Sequence, residues 1–347
     1  MPYRSPRASR AVAPAFGPVT ADVRARSARS PQEWDGLVRR LGGSGFQTFR
    51  WLSTVVPAIG QQFVPLVLLA DGAEAGVLPV ILRRSGMQTI NCVPFPDAGP
   101  LVTPQHAGAT LTYVRELERQ SRISKATHCI AAAAPGPAPE WAATARSNGY
   151  TAASRTAWVV QLGLPLPELR ARLASGRRAG LARASRRGIH VRPASVHEAG
   201  PLLSAWMDVT FARQGERAPY PREAVTAIAA AYEHGPARLA AACGPDGEPL
   251  AIMVTIGGSA VASGWTVQRH PDAPAAASSD AVATLYWDSI VWAKALGYTA
   301  LDLGGSSTPG VANYKRGWGA EPHARLRLTR LGGLAIVATG LRRRSSG

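Results

Sequence analysis

The chain reads as an α/β (α+β) protein made of two copies of one unit, each a mixed sheet flanked by helices. Three observations predict this. FVPLVLLA, Asp71-Gly72 and AGVLPVILR in the first half match ARLAAACG, Asp246-Gly247 and PLAIMVTIG in the second, followed there by SAVASGWTV. Each is a pair of apolar, β-branched runs broken by a D-G turn, the sequence form of a hairpin. Helical segments precede the hairpin and a helix follows it in both halves. With 347 residues, 46% of them apolar and nine Trp, the chain can also fill two cores.

The domain reading follows that rhythm: a disordered basic tail at 1–30, one unit at 31–155, a second at 156–331, and a C-terminal helix or tail at 332–347 that can pack back on the first unit. The helix at 280–296 is the clearest element. Ser279 or Asp280 can cap its start, Gly297 suits the left-handed residue after its end, and Val282, Leu285, Trp292 and Leu296 fall at helical spacing. YTALDLGG then reads as a buried strand leaving through two glycines, where α/β folds place substrates. A helix is expected at 106–121 and a strand at 126–133.

No run of about eighteen uncharged apolar residues occurs, so no membrane span is expected. The Arg-, Ser- and Pro-rich first thirty residues lack the apolar core of a secretory signal, which predicts a cytoplasmic protein. Cys92, Cys129 and Cys243 are scattered and the histidines lack ligand spacing, so neither a disulfide framework nor a metal site is expected. The formal net charge of +17 attracts polyanions such as RNA, nucleotides or anionic surfaces. Only Lys125, Lys294 and Lys315 are lysines, so a coding bias toward arginine accounts equally well for the excess.

Three segments concentrate chemistry: LDLGGSSTPGVANYKRGWGAEP (301–322), ELRARLASGRRAGLARASRRG (168–188), and FQTFRW (46–51) with VPFPDAGPLVTP (93–104). The second holds seven arginines pointing around most of a helical circle, with a break expected at Ser175-Gly176. Arg177, Arg178, Arg183, Arg186 and Arg187 are candidates for phosphate binding, against a solvated basic face. Trp51, Trp265 and Trp318 could stack on a base, or pack in a core.

Asp302-Leu303-Gly304 followed by Tyr314-Lys315-Arg316-Gly317-Trp318-Gly319 resembles the C-terminal signature of FemABX-type aminoacyltransferases. The Arg177–Gly188 stretch resembles that family's basic helix, DSIVWAKALGY the helix before the signature, and FQTFRW with the Asp97-Ala98-Gly99-Pro100 turn its first-domain features. The resemblance covers about 46–325. It implies two tandem GNAT-like acyltransferase domains of the compact type, and a reaction in which an amine attacks the ester of an aminoacyl-tRNA. It also implies that Lys315 stabilises negative charge, with Asp302 and Tyr314 as further catalytic candidates and Arg316, Trp318 and Asp97 on the substrate side.

Lys315 among glycines suits charge stabilisation at an ester oxygen or an RNA phosphate, against a solvated surface lysine. Asp302 can orient the amine or simply cap a loop. The segment QRHPDAPAAASSDA, standing where CoA-using GNAT enzymes keep a glycine-rich pyrophosphate loop, contains no glycine, which disfavours CoA as donor. The expected activity is therefore amide formation from aminoacyl-tRNA to a peptidoglycan-precursor or antibiotic-type amine, by a monomer without a cofactor beyond that co-substrate. An acyl-CoA N-acyltransferase and a non-catalytic RNA- or polyanion-binding protein are the alternatives.

Overall fold

The computed structural model describes residues 22–331 apart from 86, 91–98, 132–138, 233–234, 259 and 307; Asp97 and the segment 332–347 lie outside the described residues. The first part of the chain forms β1 (Val23–Ser27), α1 (Pro31–Arg40), α2 (Phe49–Ala58), β2 (Gln62–Ala70), β3 (Ala73–Ser85), β4 (Met87–Ile90), β5 (Leu101–Val102), α3 (Ala107–Gln120), β6 (Lys125–Ala131), α4 (Pro139–Ser147) and β7 (Thr151–Gln161). The second forms α5 (Leu166–Arg172), α6 (Ser175–Arg186), β8 (His190–Pro193), α7 (Val196–Ala212), α8 (Arg222–Tyr232), β9 (Ala237–Cys243), β10 (Pro249–Ile256), β11 (Val261–Arg269), α9 (Ala275–Ala295), β12 (Ala300–Gly305), α10 (Pro309–Arg316) and β13 (Glu321–Leu331).

The strands join into one sheet in the order β1-β2-β3-β4-β6-β13-β7-β12-β11-β10-β9-β8. Its two ends mirror each other. From the edge inward each has one antiparallel pair joined through two helices, two antiparallel hairpins, and then one parallel pair, β4 with β6 and β11 with β12. A parallel pair requires a crossover, which α3 and α9 supply. The repeat closes by exchange. The strand β7, which follows the first repeat, pairs with β12 of the second, while β13 at the end of the second pairs with β6 of the first. The two exchanged strands then pair with each other over nine residues.

Both D-G turns are hairpins. Asp71 and Gly72 have φ of +51° and +81° in a two-residue loop, with Ala70 opposite Ala73, and Gly247 has φ +85°. These are the left-handed conformations such turns need. The expected helix at 280–296 begins five residues sooner, at Ala275, because the alanine run after Pro274 continues it backward. Asp280 is consequently inside the helix and 2% exposed, not a cap; Leu296 is the C-cap and 57% exposed, while Gly297 takes φ +80° as expected. The arginine-rich segment breaks at Leu173-Ala174, and Ser175-Gly176 opens α6.

Continuous structure lies across two of the expected limits. Residues 22–30 are ordered: β1 extends the edge of the sheet, Arg26 bonds Glu33 and Glu74, and the Ser30 hydroxyl caps α1. The division at 155/156 falls in the middle of β7, because the exchange of strands makes chain order and spatial order differ. Three apolar clusters pack the sheet. One, with α3 and α4, and another, with α5, α6 and α9, cover one face at its two ends. The third, with α1, α2, α7 and α8, covers the opposite face and is shared by both repeats.

Candidate active site

The exit of β12 is built around a break in the ladder. The register between β12 and β7 shifts between Asp302 and Gly305, so the intervening carbonyls leave the sheet. Gly304 turns there with φ +76°, a conformation natural to glycine. The Thr308 hydroxyl accepts from Val311 N and caps α10, and Pro309 occupies its first turn, where a missing N–H costs nothing. One and a half turns later α10 returns Lys315 to the break. Its Nζ donates to the carbonyls of Leu303 and Gly305, each at 2.5 Å, and the residue is 7% exposed.

Lys315 is thus no surface lysine. Burial lowers its pKa to about 8; Asp302 opposes that fall and Arg325 adds to it. An ammonium in this state is a fixed cation in a poorly solvated setting, where charge stabilisation is worth most, and its pKa lies close to working pH. Asp302, 3% exposed, accepts from the Gly304 N–H at 2.6 Å through one oxygen and pairs with Arg325 of β13 through the other. Both its oxygens are engaged, so it is an internal counter-charge rather than a free base.

Tyr314, the neighbour of Lys315, points elsewhere. Its ring packs on Tyr286 of α9, with centroids 5.5 Å apart, and the Arg177 guanidinium lies over it at 3.9 Å. Burial raises its pKa. Trp318, 1% exposed, stacks on Tyr286, and Trp51, 0% exposed, meets Trp265 edge-on at 5.6 Å. Trp51 and Trp318 are core residues with no face left for a base; Trp265 is half-buried on β11.

The arginine cluster divides by contact. Arg178 donates to Ala171 O at 2.9 Å and to Leu173 O, closing the end of α5. Arg183 and Arg187 clamp Asp280 at 2.9 and 2.6 Å, docking α6 on α9. Arg316 bonds Asn313 and lies 5.3 Å over Trp158. Arg186 is exposed, and among the described residues it alone of the five on α6 and its C-cap has no side-chain hydrogen bond, ion pair or ring contact. Sequence reasoning missed Arg325, which meets Asp302. Its signal was the period-2 alternation of Arg325, Leu326, Arg327 and Leu328 in the last strand.

A second feature lies at the start of α9, where Thr210, Arg213, Gln214, Arg269 and His270 line a cavity of about 260 Å³. The loop around it is held by Arg213, which donates to Pro271 O, and by His270 against Trp206.

Residues 168–316 match the acetyltransferase (GNAT) domain family. The fold is similar to that of FemX (TM-score 0.71, 12% identity, covering 91% of this chain and 99% of that one). It is also similar to a tandem GNAT protein of the clavulanic acid biosynthesis pathway (0.55, 16%, 90% and 99%) and to L-PGS from Bacillus licheniformis (0.54, 15%, 88% and 93%). No curated protein sequence matches the chain. The architecture is therefore a tandem GNAT acyltransferase fold. Within that class its arrangement is similar to that of FemX.

Proposed function

We propose that this protein is an aminoacyltransferase that passes an amino acid from an aminoacyl-tRNA to an amine acceptor, forming an amide. The acceptor class is a peptidoglycan precursor or another biosynthetic amine. The observation that carries the reading is Lys315, buried at the splayed end of β12 in a tandem acyltransferase fold and bonded to the carbonyls of Leu303 and Gly305. In the reaction the neutral amine attacks the ester carbonyl, the C–N bond forms, and the ribose hydroxyl leaves with a proton. Negative charge builds on the carbonyl oxygen, and Lys315 is the cation positioned to offset it, by a few kcal/mol. Asp302 and Arg325 hold the electrostatic balance around it. The +17 charge favours a polyanionic co-substrate. Two units at about 31–155 and 156–331, sharing exchanged strands, are the proposed domains.

A second donor class is favoured by one observation. The cavity with Arg213 and Arg269 at the head of α9 could take the pyrophosphate of an acyl-CoA. Against it, no glycine lies between Gln268 and Ala281 to let backbone N–H groups crowd an anion.

Thermal shift at physiological salt separates the two. Stabilisation by charged tRNA beyond its deacylated form supports ester recognition. Equal response to both tRNAs, with a larger response to an acyl-CoA, transfers the assignment to the second donor.

A further inference from the structure

We propose that Arg155 and Arg327 form an oxyanion-binding subsite that holds a compact anionic group, phosphate or carboxylate, of the acceptor. This rests on the transferase reading above and names the chemistry of its second substrate.

The placement follows from register. Arg155 on β7 lies directly opposite Arg325 on β13, and Arg327 lies opposite Cys129 on β6. All share the sheet face of the shared core, since Cys129 packs against that core while Leu326 and Leu328 pack on the opposite face. Side chains directly opposite on neighbouring strands interact, and like charges there are destabilising. Asp302 answers Arg325. No acid answers Arg155 or Arg327 among the described residues.

Arg327 is the sharper anomaly. It is half-buried, and its Nε is buried without a hydrogen-bond partner. Buried polar groups are almost always satisfied. Arg330, three residues on and facing the other way, bonds Glu118 at 2.6 Å, and half-buried Arg238 is bidentate to Asp288. A guanidinium with a free Nε edge takes an oxyanion in a two-point contact. The recessed edge suits a small terminal group better than the outer phosphates of an RNA helix. Asp302 is matched by Arg325, so the unanswered positive charge of this face lies at Arg155 and Arg327, and an acceptor held there by its anion extends along the face toward the exit of β12.

The test is thermal shift at fixed ionic strength with inorganic pyrophosphate, with malonate and with deacylated tRNA, on wild type, R155Q/R327Q and R186Q. The proposal expects pyrophosphate or malonate to raise the melting temperature of wild type and R186Q, and the double variant to lose that shift. Which of the two acts identifies the source as phosphate or carboxylate. The double variant should unfold at the same urea concentration or higher, because a like-charge pair is relieved. An undiminished small-anion shift in R155Q/R327Q overturns the proposal. So does a result in which neither small anion acts on wild type and only the tRNA response is lost. Because anion binding needs no donor, its loss in the double variant alongside absent tRNA-dependent transfer would sink the donor reading and leave this subsite standing.

Discussion

The Glu118 carboxylate on α3 accepts from Arg330 Nε on β13 at 2.6 Å, across 212 residues of chain, and both residues are buried. His128 Nε2 and the Tyr150 hydroxyl bond the same carboxylate at 2.8 and 2.7 Å. This contact fastens the exchanged strand into the first repeat, and that strand carries Arg325 and Arg327. Replacing Glu118 by Gln or Arg330 by Ala leaves an unmatched buried charge and should cost about 3–5 kcal/mol. Urea unfolding of each variant measures it. A loss under 1 kcal/mol would mean that the strand is held by its ladder alone.

The same network sets an acid limit. Burial pushes the Glu118 carboxyl up, but the bonds from His128, Tyr150 and Arg330 outweigh it and hold the pKa below the ordinary value. A depressed carboxylate contributes stability above its unfolded pKa, and that contribution is lost as pH falls through the folded one. Stability should therefore decline below about pH 4.5 in wild type, and less steeply in a Glu118→Leu/Arg330→Leu pair. Parallel acid-unfolding curves would contradict this.

For Lys315 the dependence has the same sign but the opposite cause, burial disfavouring the charged form. Its folded pKa of about 8 lies below the ordinary lysine value of 10.5, so between those values the unfolded chain binds more protons and stability should rise with pH. If the ammonium is the working form, kcat/KM should fall over the same interval. Lys315→Met removes a costly buried charge but leaves two carbonyls unpaired, effects of opposite sign and about 1–3 kcal/mol each. We expect a stability change under about 2 kcal/mol with transfer reduced roughly 100- to 1,000-fold. A folded variant with near-normal turnover would remove Lys315 from the mechanism.

Gly304 should show a related separation. A Cβ there would sit 3.7 Å from Lys315 Nζ, on a backbone with φ +76°. Gly304→Ala should cost about 1 kcal/mol in stability, while the strained turn, which sets the carbonyls that hold the ammonium, lowers kcat more than it raises KM. Equal changes in both would place the effect in binding.

Asp280 tests the reading of the arginine cluster. Arg183 and Arg187 are 46% and 41% exposed, so water can take over when the acid is removed. Asp280→Ala should cost about 1–2 kcal/mol, less than losing Glu118. If Arg183 and Arg187 serve docking alone, R183Q/R187Q should leave the salt dependence of tRNA binding unchanged; a slope reduced by about two would assign them phosphates instead.

Periodicity and turn chemistry made much of the fold readable. D-G pairs announce left-handed turns, apolar runs of fixed length announce strands, and Gly297 ends its helix, all because these depend on residues close in sequence. The motif around Lys315 was visible for the same reason: Thr308, Pro309 and the glycines organise α10 within a few positions. The arginines of 168–188 were only partly legible, because a cluster in sequence says nothing about which charges meet an acid. Asp280, 93 to 97 residues away, decides that for Arg183 and Arg187.

What the sequence by itself determined is local: two matching α/β units, their hairpins, and a lysine set after a glycine-rich strand exit. What only tertiary structure decided is non-local. The exchange of β7 and β13, the pairing of Asp302 with Arg325, and the burial that lowers Lys315 depend on segments far apart in sequence. Hydrogen-bond ladders and desolvation act on whatever the fold brings near. A strand that is apolar on one side and arginine-rich on the other therefore reveals its faces from sequence, but only the sheet reveals which neighbours those arginines meet.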